Sequence, residues 1–244
     1  MDWHRRYLQQ AQWTRDLRAY LFHQAGLNES GRVLEVGCGT GAILSEVPNH
    51  PSLYGLDIDA DALAQCRVHV PSAMLAQGDA LRLPYRNESF DIVYCHFLLL
   101  WVAHPLQALL EMKRVAKAGA YLFAFAEPDY AGRIDEPREL ITLGQWQAES
   151  LRRQGADPAL GAQLADLFFR AGIELLETGT IQSPESEPSP EDWETEWAVI
   201  ESDLEGFIAR ADLQKMKRLD QEARTQGERV LHVPTYFASG RVPR

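Results

Sequence analysis

Residues 33–41, Val-Leu-Glu-Val-Gly-Cys-Gly-Thr-Gly, carry a short apolar run into three glycines at alternate positions. Glycine lets a backbone approach a ligand with no Cβ in the way, so the segment reads as a buried strand entering a nucleoside-binding turn. Gly37, Gly39 and Ala42 also satisfy the dinucleotide fingerprint with alanine in its last place, and the loop alone leaves a nicotinamide ligand open. Acids at strand ends sharpen the choice. Asp57 stands eighteen residues after Gly39, where a carboxylate can accept both hydroxyls of a ribose. Asp79, in Gly78-Asp79-Ala80, is placed to accept from an exocyclic amino group, and Glu35 lies two residues before Gly37. Three acids repel a pyrophosphate but suit a phosphate-free nucleoside of net positive charge. S-adenosylmethionine is such a ligand.

The elements that must position these residues follow from hydrophobic period. Apolar runs at 33–36, 53–56, 73–76, 90–95 and 120–126 are continuous enough to be strands buried on both faces. Helical stretches at 41–47, 60–67 and 104–117 separate them, which implies a parallel, doubly wound sheet. Trp13, Leu17, Tyr20 and Leu21 share one face of a helix spanning 3–25, stopped by Gly26. Beyond Glu127 come helices near 139–154 and 158–171, a strand at 173–182, and a loop of Pro, Ser and Glu at 183–192. Ser189-Pro190-Glu191-Asp192 is a helix start, with Ser as the cap and Pro in the first turn. Trp193, Trp197, Ile200, Leu204, Phe207 and Ile208 then line one face. A last strand is expected at 229–233.

Composition bounds the function. The 244 residues are 45% hydrophobic and 24% charged, enough for a globular core. The longest apolar run, 97–103, is far short of the roughly 20 residues of a membrane span, and no signal peptide is visible, so a cytoplasmic location is expected. Residues 171–209 hold eleven acids and no Lys or Arg, which accounts for the whole formal charge of −11. That balance gives no general attraction to nucleic acid. Cys38, Cys66 and Cys95 have neither disulfide nor zinc spacing, no His-x-x-x-His occurs, and metal-independent chemistry is expected.

In these motifs the chain resembles the class I S-adenosylmethionine-dependent methyltransferases over residues 32–127. Residues 33–41 look like the family's first motif, Asp57 its ribose acid, Ile58 the apolar residue beside adenine, and Gly78-Asp79-Ala80 its adenine contact. Residues 89–94 resemble the fourth-strand motif, after which Cys95 and His96 border the methionyl end. Glu111 to Val115 followed by Gly119 resembles the helix and turn before the fifth strand, although Ala118-Gly119-Ala120 replaces the usual Pro-Gly-Gly. Motif order and the N-terminal helix look most like the small-molecule, quinone-biosynthesis branch. The resemblance implies an α/β fold: a doubly wound, mostly parallel seven-stranded sheet, Rossmann-like, with an antiparallel C-terminal strand. It pairs 173–182 with 229–233, making 183–227 a helical insertion, and the chain a single domain over 1–244. It also implies that the N-terminal helix, within 1–28, covers the cofactor, with Tyr7, Trp13 and Arg18 as contacts and Arg18 facing the methionyl carboxylate. The product would be S-adenosylhomocysteine.

For the reaction, displacement at a sulfonium methyl needs alignment more than a base. His96, at the end of the fourth strand, or His104 eight residues on, is the candidate proton acceptor should the acceptor be a hydroxyl. Glu127 and Tyr130 leave the carboxyl end of the fifth strand, where open α/β sheets place ligands. The partner is a small-molecule methyl acceptor with an oxygen, nitrogen or carbon nucleophile, and the oligomeric state is left open. Two alternatives remain: an NAD-dependent oxidoreductase using the same loop, and a cofactor-binding module without chemistry. The missing Tyr-x-x-x-Lys removes one common catalytic pair of the former.

Overall fold

A computed structural model describes residues 3–27, 31–47, 52–181 and 189–244. Its strands are β1 (Val33–Val36), β2 (Leu53–Asp57), β3 (Met74–Gln77), β4 (Phe90–His96), β5 (Ala116–Pro128), β6 (Ile134–Glu136), β7 (Glu174–Ile181), β8 (Val230–His232) and β9 (Thr235–Arg241). Among the described residues seven of them form one sheet in the order β3-β2-β1-β4-β5-β9-β7. The first five run parallel, and β9 lies antiparallel to both of its neighbours. β1 and β4 are buried along nearly their whole length, which is why their sequences are continuously apolar.

The helices are α1 (Trp3–Trp13), α2 (Arg15–Gln24), α3 (Ala60–His69), α4 (Pro105–Val115), α5 (Ile141–Arg153), α6 (Leu164–Arg170), α7 (Pro190–Leu204) and α8 (Arg210–Gln226). One sheet face packs Leu34, Val93, Leu122 and Ala238 against Leu109 and Met112 of α4 and Phe168 of α6. The other packs Val33, Tyr94, Phe123 and Phe125 against Leu21 and Phe22 of α2 and Leu63 of α3. A third core joins Leu140 and Leu143 to Trp193, Trp197, Ile200 and Leu204 of α7 and Leu213 of α8. This last core forms a cap with its own polar interior. Asp220 accepts from the indoles of Trp193 and Trp197 at 2.6 and 3.0 Å and from Arg229 Nε at 2.6 Å. Arg229 in turn donates to Asp135 at 2.8 Å.

The sheet departs from sequence expectation at its C-terminal end. The apolar run at 229–233 does not pair with 173–182; its core, β8, pairs with β6 in a separate two-stranded sheet. The strand beside β7 is β9. Its centre, Ala238-Ser239-Gly240, is small because it is crowded: a Cβ on Gly240 would lie 2.5 Å from Ile173 Cγ2. The 41–47 helix is reduced to a 3-10 turn at Leu44–Glu46, since Gly41 sits at φ +84. The 3–25 helix is two helices broken at Thr14. The start of α7 is as read, Ser189 Oγ accepting from Asp192 N at 3.1 Å, while residues 28, 182 and 183–188 lie outside the described residues.

Candidate active site

The glycine turn is folded over the end of β2. The amides of Gly37 and Cys38 both donate to Leu56 O, at 2.7 and 3.0 Å. Gly37 takes φ +76, and Leu98 Cδ1 lies 2.7 Å from where its Cβ would be, so no larger residue fits. Gly39 N donates to Asp57 Oδ2 at 2.7 Å and Asp59 N to Oδ1 at 2.9 Å. Each carboxylate oxygen, taking one donor here, keeps a lone pair for a further one. Ile58 follows with 68% of its surface exposed, an apolar ledge beside that carboxylate. Gln77 steadies the ledge through Ile58 O at 3.0 Å, and Gly78 N donates to Asp57 O. Asp79 Oδ1 accepts from Leu81 N at 2.8 Å, and Ala80 turns into the core.

Three of the sequence candidates, Glu35, Cys38 and Cys95, have buried side chains. Glu35 is buried and accepts from Tyr94 Oη at 3.2 Å. Burial pushes its carboxyl well above the usual range, against the lowering pull of Tyr94 and Arg18. The Cys38 side chain is buried toward Gly55, and Cys95 belongs to the core behind the sheet. Backbone is what these cysteines offer a ligand.

The N-terminal helices close one side. The Tyr7 ring lies over Gly39, Cε2 3.6 Å from its Cβ direction. Burial, then Asp57 and Asp59, raise the Tyr7 phenol. Trp13 stands edge-on to Phe97 at 6.4 Å with Arg6 over its ring. Thr14 Oγ1 is 2.9 Å from His96 Nε2. Burial and then Arg18 push that imidazole down to about 3, so it is neutral and a poor proton acceptor near pH 7. Arg18 is 1% exposed; its Nη atoms bind Ala11 O, Thr14 and Glu46, while Nε has no hydrogen-bond partner among the described residues. That orphaned donor is an opening for a carboxylate.

Glu127, at the end of β5, is fully buried. Its Oε1 accepts from Leu98 N and Leu99 N at 3.1 and 2.9 Å, its Oε2 from Leu100 N at 3.1 Å. Tyr130, which follows β5, has its phenol raised first by burial, and it feels the charges of Arg133, Glu196, Arg6 and Asp203. Arg5 pairs with Glu191, and Gln9 donates to Asp192 at 2.8 Å, so α1 is tied to the first turn of α7.

Residues 34–124 match the family model described as a methyltransferase domain. A phosphatidylethanolamine N-methyltransferase of Cereibacter sphaeroides is 38% identical over 145 residues, which are 53% of this chain and 70% of that protein. The chain belongs to the class I S-adenosylmethionine-dependent methyltransferases. A demethylmenaquinone methyltransferase of Shouchella clausii is 37% identical over 120 residues, 46% of this methyltransferase and 49% of that one. This chain spans about half the length of most curated relatives it matches. A Bacillus halodurans structure assigned as a methyltransferase superposes with TM-score 0.67 over 93% of this chain and 98% of its own, at 17% identity. That likeness speaks to the fold alone.

The residues present suit the cofactor that membership of the family implies. Asp57 ends β2 against the glycine turn and Asp79 follows β3, the exposed Ile58 adjoins Asp57, and the buried guanidinium of Arg18 keeps its Nε without a hydrogen-bond partner among the described residues. Sequence reasoning missed Thr14, which holds His96, Leu98, which presses on Gly37, and Tyr94, which holds Glu35. A threonine inside a helical period, like an apolar or aromatic residue within a strand or its turn, carries no signal of such a role.

Proposed function

We propose that the protein transfers the methyl group of S-adenosylmethionine to a small organic acceptor by direct displacement. The observation that carries this reading is Asp57 at the end of β2, its two oxygens held by the amides of Gly39 in the glycine turn and of Asp59. In this reading Asp57 takes the ribose hydroxyls, Ile58 and Asp79 the adenine, and Arg18 Nε the methionyl carboxylate. Tyr7, Trp13 and the backbone of Cys38 and Ala80 complete the wall. The cofactor supplies a methyl group on a positively charged sulfur. The protein supplies alignment and exclusion of water, and alignment alone is worth up to ~7–11 kcal/mol in ideal geometry.

The acceptor would enter between Tyr130 and α7, where the acids Glu196 and Asp203 stand near Arg6. The insertion is read as a lid: α7 carries a buried apolar face and its N-terminal turn bonds α1. A neutral His96 favours an acceptor that needs no strong base, and a cytoplasmic location goes with this reading.

Calorimetry with S-adenosylhomocysteine and NAD(H) tests the cofactor; tight NAD(H) binding and no response to S-adenosylhomocysteine would reject the assignment. Release of S-adenosylhomocysteine across amines, phenols and quinols tests transfer. Binding without turnover on any acceptor would favour a cofactor-binding module.

A further inference from the structure

Glu127 is fully buried at the end of β5, just past Ala126, whose φ of +59 marks a break in the pairing with β9. A charged side chain is not placed in a core without partners, and its partners are three successive backbone amides, those of Leu98, Leu99 and Leu100. These are the otherwise orphaned donors at the start of the 3-10 turn Leu99–Trp101. The turn begins right after Phe97, a non-glycine residue at φ +51. Leu98, fixed by its amide, places Cδ1, Cγ and Cδ2 at 2.7–3.3 Å from the Cβ direction of Gly37. One line of contact therefore runs from the β5 carboxylate, through a turn of β4, to the first glycine of the nucleoside loop.

We propose that Glu127 is a positioning residue: by gathering the amides of Leu98, Leu99 and Leu100 it presses Leu98 onto Gly37 and so sets the shape of the glycine turn. The link to ligand affinity rests on the reading of that turn as the S-adenosylmethionine site.

Burial, opposed by the three amides, raises the Glu127 carboxyl to about 7. The titratable groups on neighbouring elements are Cys95 on β4, whose thiol burial and Glu127 push up, and Tyr236, its register partner on β9. The turn residues Leu98 to Trp101 bring none. Protonation at Oε2 replaces the acceptor of Leu100 N with a hydroxyl and loosens the clamp. The folded carboxyl binds a proton that the unfolded one has released between about pH 4.5 and 7, so this group's contribution to stability falls as pH rises through that window. Loop order moves the opposite way, and a merely structural carboxylate would not produce that opposition.

The test uses the full chain with Glu127→Gln, Leu98→Ala and the double variant, each checked for folding by its thermal transition. In ligand-free protein, hydrogen exchange of peptides covering residues 33–41 is expected to quicken in each single variant, with no further gain in the double. S-adenosylhomocysteine affinity is expected to rise about fivefold from pH 6 to 8 in the wild type and stay flat in Glu127→Gln. Should Glu127→Gln fail to fold, Leu98→Ala carries the test, because it should also abolish the pH dependence. Unchanged exchange over 33–41, or additive effects of the two substitutions, would overturn the proposal. A loop that responds in a protein indifferent to S-adenosylhomocysteine would uphold the coupling and reject the cofactor reading.

Discussion

The amide of Gly39 and Oδ2 of Asp57, eighteen residues apart in the chain, lie 2.7 Å from each other. This bond joins the turn after β1 to the end of β2, and it aims the carboxylate by fixing one of its edges. The acid that would recognise a ribose is thus also the strut that holds the loop receiving it.

Replacing Asp57 with Asn puts an amide donor against a backbone N–H and removes the charge. Hydrogen bonds to charged groups are worth about 1.5–3 kcal/mol, so S-adenosylhomocysteine should bind roughly 10–150-fold more weakly. The half-exposed position should cost little melting temperature. Calorimetry beside a thermal melt checks this, and wild-type affinity in the variant would remove Asp57 from the site.

Asp220 is the hub of the cap. Burial by itself would raise its carboxyl, but the indoles of Trp193 and Trp197 and the cations Arg224 and Arg229 outweigh burial and hold it below the usual range. A lowered folded pKa gives stability that is complete above the unfolded value near 3.9 and disappears as pH falls below it. Asp220→Asn should cost about 3–5 kcal/mol by leaving buried cations uncompensated. Urea melts followed by tryptophan fluorescence would show this at pH 7 and a shallower acid limb in the variant. Equal midpoints for the two proteins would contradict it.

Gly161 faces backbone, not a movable side chain: an added Cβ would lie 2.4 Å from Glu127 O and 2.9 Å from Pro128 C. Gly161→Ala should destabilise by about 1–3 kcal/mol as overpacking, a melting drop of roughly 3–10 °C at this chain length. An unchanged melting temperature would show that the turn yields freely.

Arg5 and Gln9 tie α1 to Glu191 and Asp192 of α7. Exposed pairs contribute about 0.2–1 kcal/mol, so the double variant Arg5→Ala, Gln9→Ala should release S-adenosylhomocysteine about two- to fivefold faster at nearly constant melting temperature. Stopped-flow displacement measures it. A slower or equal release would argue that α1 and α7 do not act as a joint cover.

The features legible in the sequence are those whose physics is local. The glycine spacing, the acids at the ends of β2 and β3, and the Ser189 cap each need only a few consecutive residues to be recognised. Strand β9 was hidden because its centre is Ala238-Ser239-Gly240, chosen for lack of bulk, whereas the bulkier 229–233 looked more like a strand and instead pairs with β6. Glu127 was noticed for its place at a strand end, but its partners are main-chain amides 27–29 residues earlier, and backbone groups carry no sequence signature. Arg18 was expected to face a ligand; that most of its guanidinium serves Ala11, Thr14 and Glu46 depends on the break at Thr14, which the helical period of 3–25 does not reveal.

Because β9 is wedged between β5 and β7, which precede it by a hundred and by fifty-odd residues, the sheet cannot be completed in the order in which the chain is synthesised. Until residue 235 onward has emerged, β5 and β7 each present an open ladder of amides and carbonyls, with α7 and α8 of the cap already translated after β7. A nascent chain stalled in that interval would be a ready template for pairing with a neighbour, so the hazard of aggregation is greatest during biosynthesis and falls once β9 fills the ladders of β5 and β7 that face it.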